Sequence, residues 1–280
     1  MTMTPTHWTC PVCRAPLALA ERSYRCEHGH TFDRAREGYV NLLLASQKRS
    51  AEPGDARAML RSRREFLERG YYAPLAEALA ARCRAERQAR GASAFALLDL
   101  GCGEGYYTGR IAAVLAGEAP RAWVGGIDIA RDGVRMAARR YGDVDFAVAS
   151  TARLPVADAS LDLAVSVFAP TDPAEIRRTL RPGGTFLRVT PGPRHLFELR
   201  TLIYDDPREH EAPPTVLEGL AYAGSESLSF PLAVAGEGDV ARLLHMTPYY
   251  WQADPACQQS IQTMAQLATQ ADFRLDRFRA

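Results

Sequence analysis

A buried strand that runs into three alternating glycines and then into a helix most constrains how this chain can fold. The apolar run at 95–100 predicts a buried parallel strand, and Gly101, Gly103 and Gly105 follow it. A helical pattern then begins at Tyr106. Because glycine lacks a Cβ, the chain can turn sharply here and its backbone can approach a ligand closely. These elements form the first half of a βαβ unit, and ligands of such sheets bind outside the carboxyl ends of the strands.

Two aspartates accompany the glycines and indicate which ligand the turn binds. Asp99 precedes the triplet, and Asp128 ends the next predicted strand, Ala122–Asp128. The pyrophosphate fingerprint needs a glycine where this chain has Tyr106, so the spacing is G-x-G-x-G instead. That arrangement is typical of Rossmann-like methyltransferases that use S-adenosylmethionine, with the second aspartate placed to hold a ribose diol. A tight strand-to-helix turn without a ligand is the alternative interpretation.

A second cluster near the amino terminus has the spacing of a metal site. Cys10 and Cys13 are separated by two residues, Cys26 follows after twelve more, and His30 comes after a further three. Two ligand pairs joined by a hairpin-length loop predict a structural zinc ion with all four positions filled. His28 competes as the fourth ligand, but a single intervening residue is a cramped spacing for a chelating pair. A redox C-x-x-C motif is the alternative, and it would leave Cys26 and His30 unused.

Charge is distributed unevenly along the 280 residues. Residues 1–64 hold eleven Lys and Arg against six Asp and Glu, whereas the remainder holds 23 against 27. A basic segment on a mildly acidic body indicates an anionic partner for that segment. Small zinc domains with arginines and aromatic residues often bind RNA. The alternative explanation for the basic residues is a genome-wide bias towards arginine, because Lys48 is the only lysine beside 33 arginines.

Several absences in the sequence bear on cellular location. The first ten residues are polar, and no run of eighteen apolar residues occurs. We therefore expect no export signal and no membrane span. Six cysteines without an export signal favour the reducing cytoplasm, with free thiols or bound metal rather than disulfides.

Periodicity predicts the elements around these motifs. We expect a helix capped by Asp55 that runs through Arg69, a second helix from about Tyr72 to Arg90, and a late helix over Pro255–Gln270. Alternating patterns predict half-exposed edge strands over Ser227–Ala235 and Asp272–Arg279.

Five separate motifs together resemble the 23S rRNA (guanine-N1)-methyltransferase family. They are Cys10-Pro-Val-Cys13, Glu37-Gly-Tyr-Val-Asn-Leu-Leu43, Arg64-Glu-Phe-Leu-Glu-Arg-Gly-Tyr-Tyr72, the glycine loop with its Tyr-Tyr-Thr tail, and Thr190-Pro-Gly-Pro-Arg-His-Leu196. The resemblance implies an α/β, Rossmann-like class I SAM-dependent methyltransferase with a small zinc-binding domain. It also implies a 23S rRNA hairpin as substrate and a homodimer whose two zinc domains flank one RNA cleft.

The resemblance also implies a domain organisation and a set of site residues. Residues 1–45 would recognise RNA, 46–90 would form a helical linker that covers the cofactor site, and 91–280 would carry the methyltransferase. The family resemblance implies cofactor contacts at Tyr72, Gly103, Glu104 and His195, in addition to Asp99, Gly101, Gly105 and Asp128. Guanine N1 carries a proton, so a base must remove it. The base is not identified, and His195 and Glu104 are the candidates.

Alternatives to this function differ in what they need. Within the family, the motifs resemble the Gram-negative subtype, which favours the 745-type guanine, and the neighbouring 748-type guanine linked to macrolide sensitivity is the alternative. A small-molecule methyltransferase would not need a basic zinc domain, and deleting residues 1–45 would leave its activity unaffected. A non-catalytic RNA binder regulated by SAM would show no turnover.

Overall fold

The amino-terminal part of the chain is a small antiparallel sheet. The computed structural model describes residues 3–47, 54–91, 94–117 and 122–280. Positions 1–2 of the predicted zinc domain, 48–53 of the predicted linker, and 92–93 and 118–121 of the predicted methyltransferase domain lie outside the described residues. The small sheet contains β1 (Thr4–Thr9), β2 (Pro16–Ala20), β3 (Ser23–Arg25) and β4 (Thr31–Asp33) in chain order. The turn between β1 and β2 carries the first predicted ligand pair, and the turn between β3 and β4 carries the second.

The rest of the described chain is organised around a mixed eight-stranded sheet. Its strands are β5 (Val40–Asn41), β6 (Ala96–Leu100), β7 (Trp123–Asp128), β8 (Asp145–Val148), β9 (Leu161–Val167), β10 (Leu180–Pro191), β11 (Ala221–Val234) and β12 (Leu267–Arg279). Their order is β11-β12-β10-β9-β6-β7-β8-β5. Strands β5 to β10 pair in parallel, whereas β12 is antiparallel to both of its neighbours. This topology confirms the predicted Rossmann-like α/β fold.

Strand β6 lies at the point where the direction of winding reverses. From β6 the chain continues outward through β7 and β8, and it then returns to form β9 on the other side of β6. A crevice forms outside the carboxyl ends of the strands at such a switch point, and ligands bind there. The glycine triplet directly follows β6, so the fold places it at this crevice.

Helices connect and cover the strands. They are α1 (Arg57–Glu68), α2 (Ala73–Ala89), α3 (Tyr106–Leu115), α4 (Arg131–Arg140), α5 (Pro173–Thr179), α6 (Phe197–Thr201), α7 (Asp239–His245) and α8 (Pro255–Gln262), with short 3-10 turns at Ala45–Gln47 and Pro248–Trp251. Among the described residues, no helix combines the length and apolarity needed to cross a membrane.

Several of the predicted elements are wrong in part. Strands β11 and β12 begin earlier than predicted, and β12 is a largely buried inner strand between β11 and β10 rather than a half-exposed edge strand. Helix α1 begins after Ala56, and Asp55 forms an ion pair with Arg63 instead of capping the helix. The predicted helix over Pro255–Gln270 ends at Gln262, and Leu267–Gln270 already belongs to β12. There the strand pairs with β11, and this pairing overrides the helical preference of the leucine, alanine and glutamine residues.

Each face of the large sheet has its own apolar core. On one face, Leu97 and Leu163 pack with buried residues of α1, α2 and α3. On the other face, Leu98 and Ala164 pack in the same cluster as Trp8 of the small sheet. Successive residues of a strand point to opposite faces, which explains this division. The small sheet is therefore part of the hydrophobic core of the methyltransferase fold.

The small sheet occupies a position that a crossover helix usually fills. All residues between β8 and β9 are described, and they contain no helix. Instead, Thr9 N–H donates to the Pro155 carbonyl at 2.8 Å, and Trp8 forms an isolated β-bridge with Val156. His7 stacks on Trp123 with ring centroids 4.2 Å apart. These contacts fix β1 against the large sheet.

Candidate cofactor and zinc sites

The three loop glycines serve two different purposes. All have positive φ, at +81° for Gly101, +54° for Gly103 and +85° for Gly105. A Cβ on Gly101 would lie 2.3 Å from the Cβ of Ala169, and one on Gly105 would lie 2.8 Å from the Cβ of Ala137. A Cβ on Gly103 would meet only the tip of the Arg63 side chain, at 3.6 Å, among the described residues. Gly101 and Gly105 therefore permit close packing, whereas Gly103 keeps one side of the loop open to a ligand.

Asp99 carries a buried carboxylate with one acceptor to spare. Its Oδ2 accepts a hydrogen bond from Thr108 Oγ1 at 2.5 Å, and its Oδ1 is buried without a hydrogen-bond partner among the described residues. Burial raises the pKa of Asp99 to about 7. A buried acceptor beside a glycine loop fits a cationic ligand such as a sulfonium or an amino group, because such a ligand would offset the cost of burying the charge.

Asp128 ties the loop to the following helix. Its Oδ2 accepts from Gly103 N–H at 2.9 Å, and its Oδ1 accepts from Ala130 N–H at 2.7 Å. Burial raises the pKa of Asp128, while these two amides act in the opposite direction. The residue ends β7 at the rim of the crevice. Each carboxylate oxygen retains a second lone pair, so Asp128 can also accept from a ribose hydroxyl.

Glu104 is buried in the glycine loop beneath a residue from α1. Burial raises the pKa of Glu104 to about 7, and the nearby Arg63 guanidinium opposes that rise. Arg63 also pairs with Asp55 at 2.6 Å and donates to the Met246 carbonyl at 3.4 Å. Arg63 therefore links α1 to the segment after α7 and lies across the glycine loop. It belongs to the helical linker that was predicted to cover the cofactor site.

His195 and Tyr72 contact each other at the edge of the same crevice. Asp272 N–H donates to His195 Nδ1 at 3.3 Å, so the imidazole proton resides on Nε2, which lies 3.3 Å from the Tyr72 hydroxyl. Burial, reinforced by the neighbouring His210, lowers the pKa of His195 to about 3. His195 is therefore neutral, and both of its ring nitrogens have partners.

The metal cluster has the geometry that zinc requires. The ligand atoms of Cys10, Cys13, Cys26 and His30 all lie within 4.8 Å of one another. Cys13 Sγ lies 3.7 Å from Cys26 Sγ, which matches the edge of about 3.8 Å expected for a tetrahedron with Zn–S bonds of about 2.3 Å. Cys26 Sγ lies 3.4 Å from His30 Nδ1. His28 is exposed and outside the cluster, so the structure favours His30 as the fourth ligand.

Three residues that shape the site were not among the predicted site residues. Thr108 supports Asp99, Arg63 spans the loop, and Phe168 follows β9 with a positive φ of 59°. The threonine was accessible from the sequence, because the first turns of a helix after such a loop face the strand. The other two depend on packing between distant segments, which no local pattern encodes.

Comparisons with known proteins agree with this geometry. A family profile described as "RlmA, N-terminal" matches residues 8–51, and one described as "Methyltransferase domain" matches residues 97–184. The 23S rRNA (guanine(748)-N(1))-methyltransferase of Streptomyces fradiae is 38% identical over 251 residues, which cover 88% of this chain and 86% of that protein. The chain belongs to the 23S rRNA (guanine-N1)-methyltransferase family.

Two further relatives resemble this methyltransferase over similar lengths. One from Micromonospora griseorubida is 37% identical, covering 89% of this chain and 88% of its own length. YxjB of Bacillus subtilis (strain 168) is 35% identical, covering 87% of this chain and 86% of its own length. Both are named as presumed 23S rRNA (guanine-N1)-methyltransferases. The family that the five motifs indicated is confirmed, and with it the use of S-adenosylmethionine as cofactor and of zinc as a structural ion.

Proposed function

We propose that this methyltransferase transfers a methyl group from S-adenosylmethionine to N1 of a guanine in a hairpin loop of 23S rRNA. The observation that carries the proposal is the union in one chain of an open glycine loop and a Cys₃His cluster. Relatives named for this reaction are 35–38% identical over 87–89% of this chain. The small-molecule alternative gives the basic surface of the zinc-binding sheet no role.

Two guanines of the loop are candidates for the modified position. The amino-acid sequences of the glycine loop and of residues 190–196 favour the 745-type position. The relative from Streptomyces fradiae is named for guanine 748, and its similarity extends over 251 residues rather than two short segments. Guanine 748 is therefore the better supported position, and the 745-type guanine is the alternative outcome of the mapping experiment.

The residues of this chain would position the cofactor and remove a proton. When bound, S-adenosylmethionine supplies an electrophilic methyl group. Asp128 and the open side of Gly103 would hold it, and Arg63 would help to exclude water from above. Such a displacement depends mainly on alignment of the reacting atoms within about 3–3.5 Å.

Of the two candidate bases, Glu104 is the better matched. A general base works best with a pKa near the working pH, and burial raises the pKa of Glu104 to about 7. The pKa of His195 is about 3 and its ring nitrogens are both engaged, so it suits a positioning role beside Tyr72.

A direct assay tests the proposed reaction. The zinc-loaded protein is incubated with labelled S-adenosylmethionine and unmodified 23S rRNA hairpin, and the product is mapped at nucleotide resolution. We expect one methyl group at guanine N1 in the loop. Methylation of a small molecule alone would favour the first alternative, and tight RNA binding without turnover would favour the second.

The RNA would bind along the basic amino-terminal region. A cleft of about 350 Å³ lies between the small sheet and α4, and its lining includes Arg22, Arg34 and Arg36. On α1, Arg57 and Arg61 are exposed, whereas Arg63 and Arg64 form ion pairs. Contacts between arginines and phosphates release counterions, so the affinity should fall as salt rises, with a slope of about −0.7 per phosphate for single strands. Changing Arg22 and Arg36 to alanine should reduce that slope, as measured by salt titration of hairpin binding.

The family resemblance also underlies two expectations about assembly and location. We propose a homodimer in which two zinc-binding sheets flank one RNA cleft, which sedimentation equilibrium of the zinc-loaded protein would test. An rRNA substrate and unpaired thiols fit a cytoplasmic enzyme.

A further inference from the structure

Phe168 has a backbone conformation that its side chain does not favour. It directly follows β9 at the carboxyl end of the parallel strands, with φ of +59°. A bulky residue adopts this left-handed conformation only where the surrounding structure enforces it, and such residues concentrate at functional sites. Here the Phe168 amide donates to the Val189 carbonyl at 3.0 Å, and Ser166 Oγ donates to the Ala169 carbonyl at 3.1 Å. The loop is therefore held in place on both sides of Phe168.

The strained backbone presents an aromatic ring to solvent. Phe168 is 43% exposed, whereas Tyr72, His195 and Phe273 in the same aromatic cluster are buried, and Phe230, which contacts Phe273, is half-buried. The Phe168 ring centroid lies 6.1 Å from that of His195 and 5.8 Å from that of Phe273. Phe168 is thus an exposed ring that rests on buried aromatic residues.

The position of the ring relative to the cofactor loop is also defined. The next residue, Ala169, packs so closely on Gly101 that a Cβ there would lie 2.3 Å from the Ala169 Cβ. The exposed ring and the glycine loop therefore share one wall of the crevice. A planar group that enters the crevice towards a cofactor on the loop would pass the face or edge of this ring.

We propose that Phe168 is the residue on which the target guanine stacks after it leaves the RNA. This inference rests on the proposed function. Guanine N1 lies on the Watson–Crick edge, so the base must be unpaired and turned out before it can react. A turned-out base loses its stacking neighbours, and an aromatic side chain replaces them. A rigid, partly exposed ring supported by a buried cluster provides such a surface.

The test replaces the ring with residues that suit a positive φ. Phe168→Gly removes the side chain and relieves the backbone strain, and this relief offsets part of the packing lost against His195 and Phe273, so the variant should still fold. Phe168→Trp retains an aromatic surface. Ala159→Gly is the matched control, because Ala159 has φ of +46° and is exposed just before the opposite end of β9. Each variant is assayed for methylation of the hairpin and for binding of S-adenosylhomocysteine.

We expect Phe168→Gly to lower kcat/KM for RNA by about tenfold or more, in line with the contribution of one base–aromatic stack. Phe168→Trp and Ala159→Gly should stay within about threefold of the parent protein, and all variants should bind S-adenosylhomocysteine as the parent does. Binding is also measured with a hairpin that has an abasic site at the target nucleotide. Removing the ring should weaken binding of the intact hairpin but leave binding of the abasic hairpin unchanged.

Three results would overturn the inference. Equal losses on the intact and abasic hairpins would mean that the ring does not contact the base. Weakened binding of S-adenosylhomocysteine would assign the ring to the cofactor instead. Activity of Phe168→Gly equal to that of the parent protein would show that the ring is dispensable. If the parent protein methylates no guanine N1, the proposed function itself fails, and that result is distinct from these three.

Discussion

Single residues at this site support the loop at which we propose that the cofactor binds. Asp128 accepts from the amides of Gly103 and Ala130, so one carboxylate holds both the cofactor loop and the start of α4. Thr108, at the start of α3, donates a hydrogen bond to Asp99 and so holds that carboxylate in place. Because these side chains support each other through short polar contacts, losing one of them should affect the cofactor before it affects the global fold.

Replacement of Asp128 by alanine should weaken cofactor binding strongly. The change removes the acceptor of two backbone amides, and hydrogen bonds to a charged group contribute about 1.5–3 kcal/mol each. We expect the affinity for S-adenosylhomocysteine to fall about tenfold or more, as measured by titration calorimetry. Asp132→Ala is the control, because Asp132 lies nearby in α4 but forms only an ion pair with Arg135 on the surface of that helix. Equal affinity in the two variants would contradict the assigned role of Asp128.

The buried carboxylates predict how cofactor binding depends on pH. Burial raises the pKa of Asp99 from 3.8 and of Glu104 from 4.5, in both cases to about 7. The contribution of these groups to folding stability is therefore fully present below about pH 4 and is lost as the pH rises towards 7. A cationic cofactor favours the ionised form of Asp99, whose Oδ1 is left for a ligand, so its affinity should rise with pH up to about 7 and then level off.

Calorimetry in buffers of different ionisation enthalpy would check this pH dependence. Binding below about pH 7 should release protons, because the cofactor lowers the pKa of Asp99. Asp99→Asn removes this titrating group and should reduce the proton release. An affinity that falls between about pH 6 and 7 would contradict the assignment of Asp99 to the cofactor.

At the scale of elements, the two hairpin turns of the small sheet each bring one ligand pair to the metal. Arg14 N–H donates to the Cys10 carbonyl at 2.8 Å, and Gly29 N–H donates to the Cys26 carbonyl at 3.0 Å. Arg14 and Gly29 both have positive φ, which closes each turn tightly. The ligands are therefore fixed by local turn geometry, and the spacing in the sequence was sufficient to find them.

The choice of the fourth ligand has a direct test. His30→Ala should lose zinc, because the imidazole beside Cys26 Sγ supplies the fourth coordinating atom. His28→Ala should keep one zinc ion per chain, since His28 is exposed outside the cluster. Metal analysis of the two purified variants measures the difference. Zinc retained by His30→Ala and lost from His28→Ala would reverse the assignment.

At the scale of the whole molecule, the small sheet and the methyltransferase fold share one core. Trp8, Leu17 and Tyr24 are buried in the same cluster as residues of β6, β7 and β9. Deleting residues 1–45 would expose this face of the large sheet and would also remove β5, which pairs with β8. Loss of activity after that deletion therefore does not separate an RNA enzyme from a small-molecule enzyme.

Removal of zinc should destabilise the entire chain and not the small sheet alone. Zinc supplies much of the folding free energy of small metal domains, and here that domain covers apolar surface of the large sheet. We expect chelation to lower Tm by about 10 °C or more in a single transition. The emission of Trp8 and Trp123, which pack together with ring centroids 5.4 Å apart, should shift towards that of exposed tryptophan. Two separate transitions, with the second unchanged by chelation, would contradict this coupling.

The amino-acid sequence by itself determined the features that depend on near neighbours along the chain. The glycine loop after Asp99, the close approach of the Cys₃His cluster and the first two strands at 95–100 and 122–128 follow from spacing and periodicity, because turns and strands are set by a few consecutive residues. Only the tertiary structure decided that Trp8 covers the sheet where no crossover helix exists, that Leu267–Gln270 is a strand, and that Phe168 reaches solvent at positive φ. Each depends on contacts between residues far apart in sequence, and the free energy of that packing exceeds local preference.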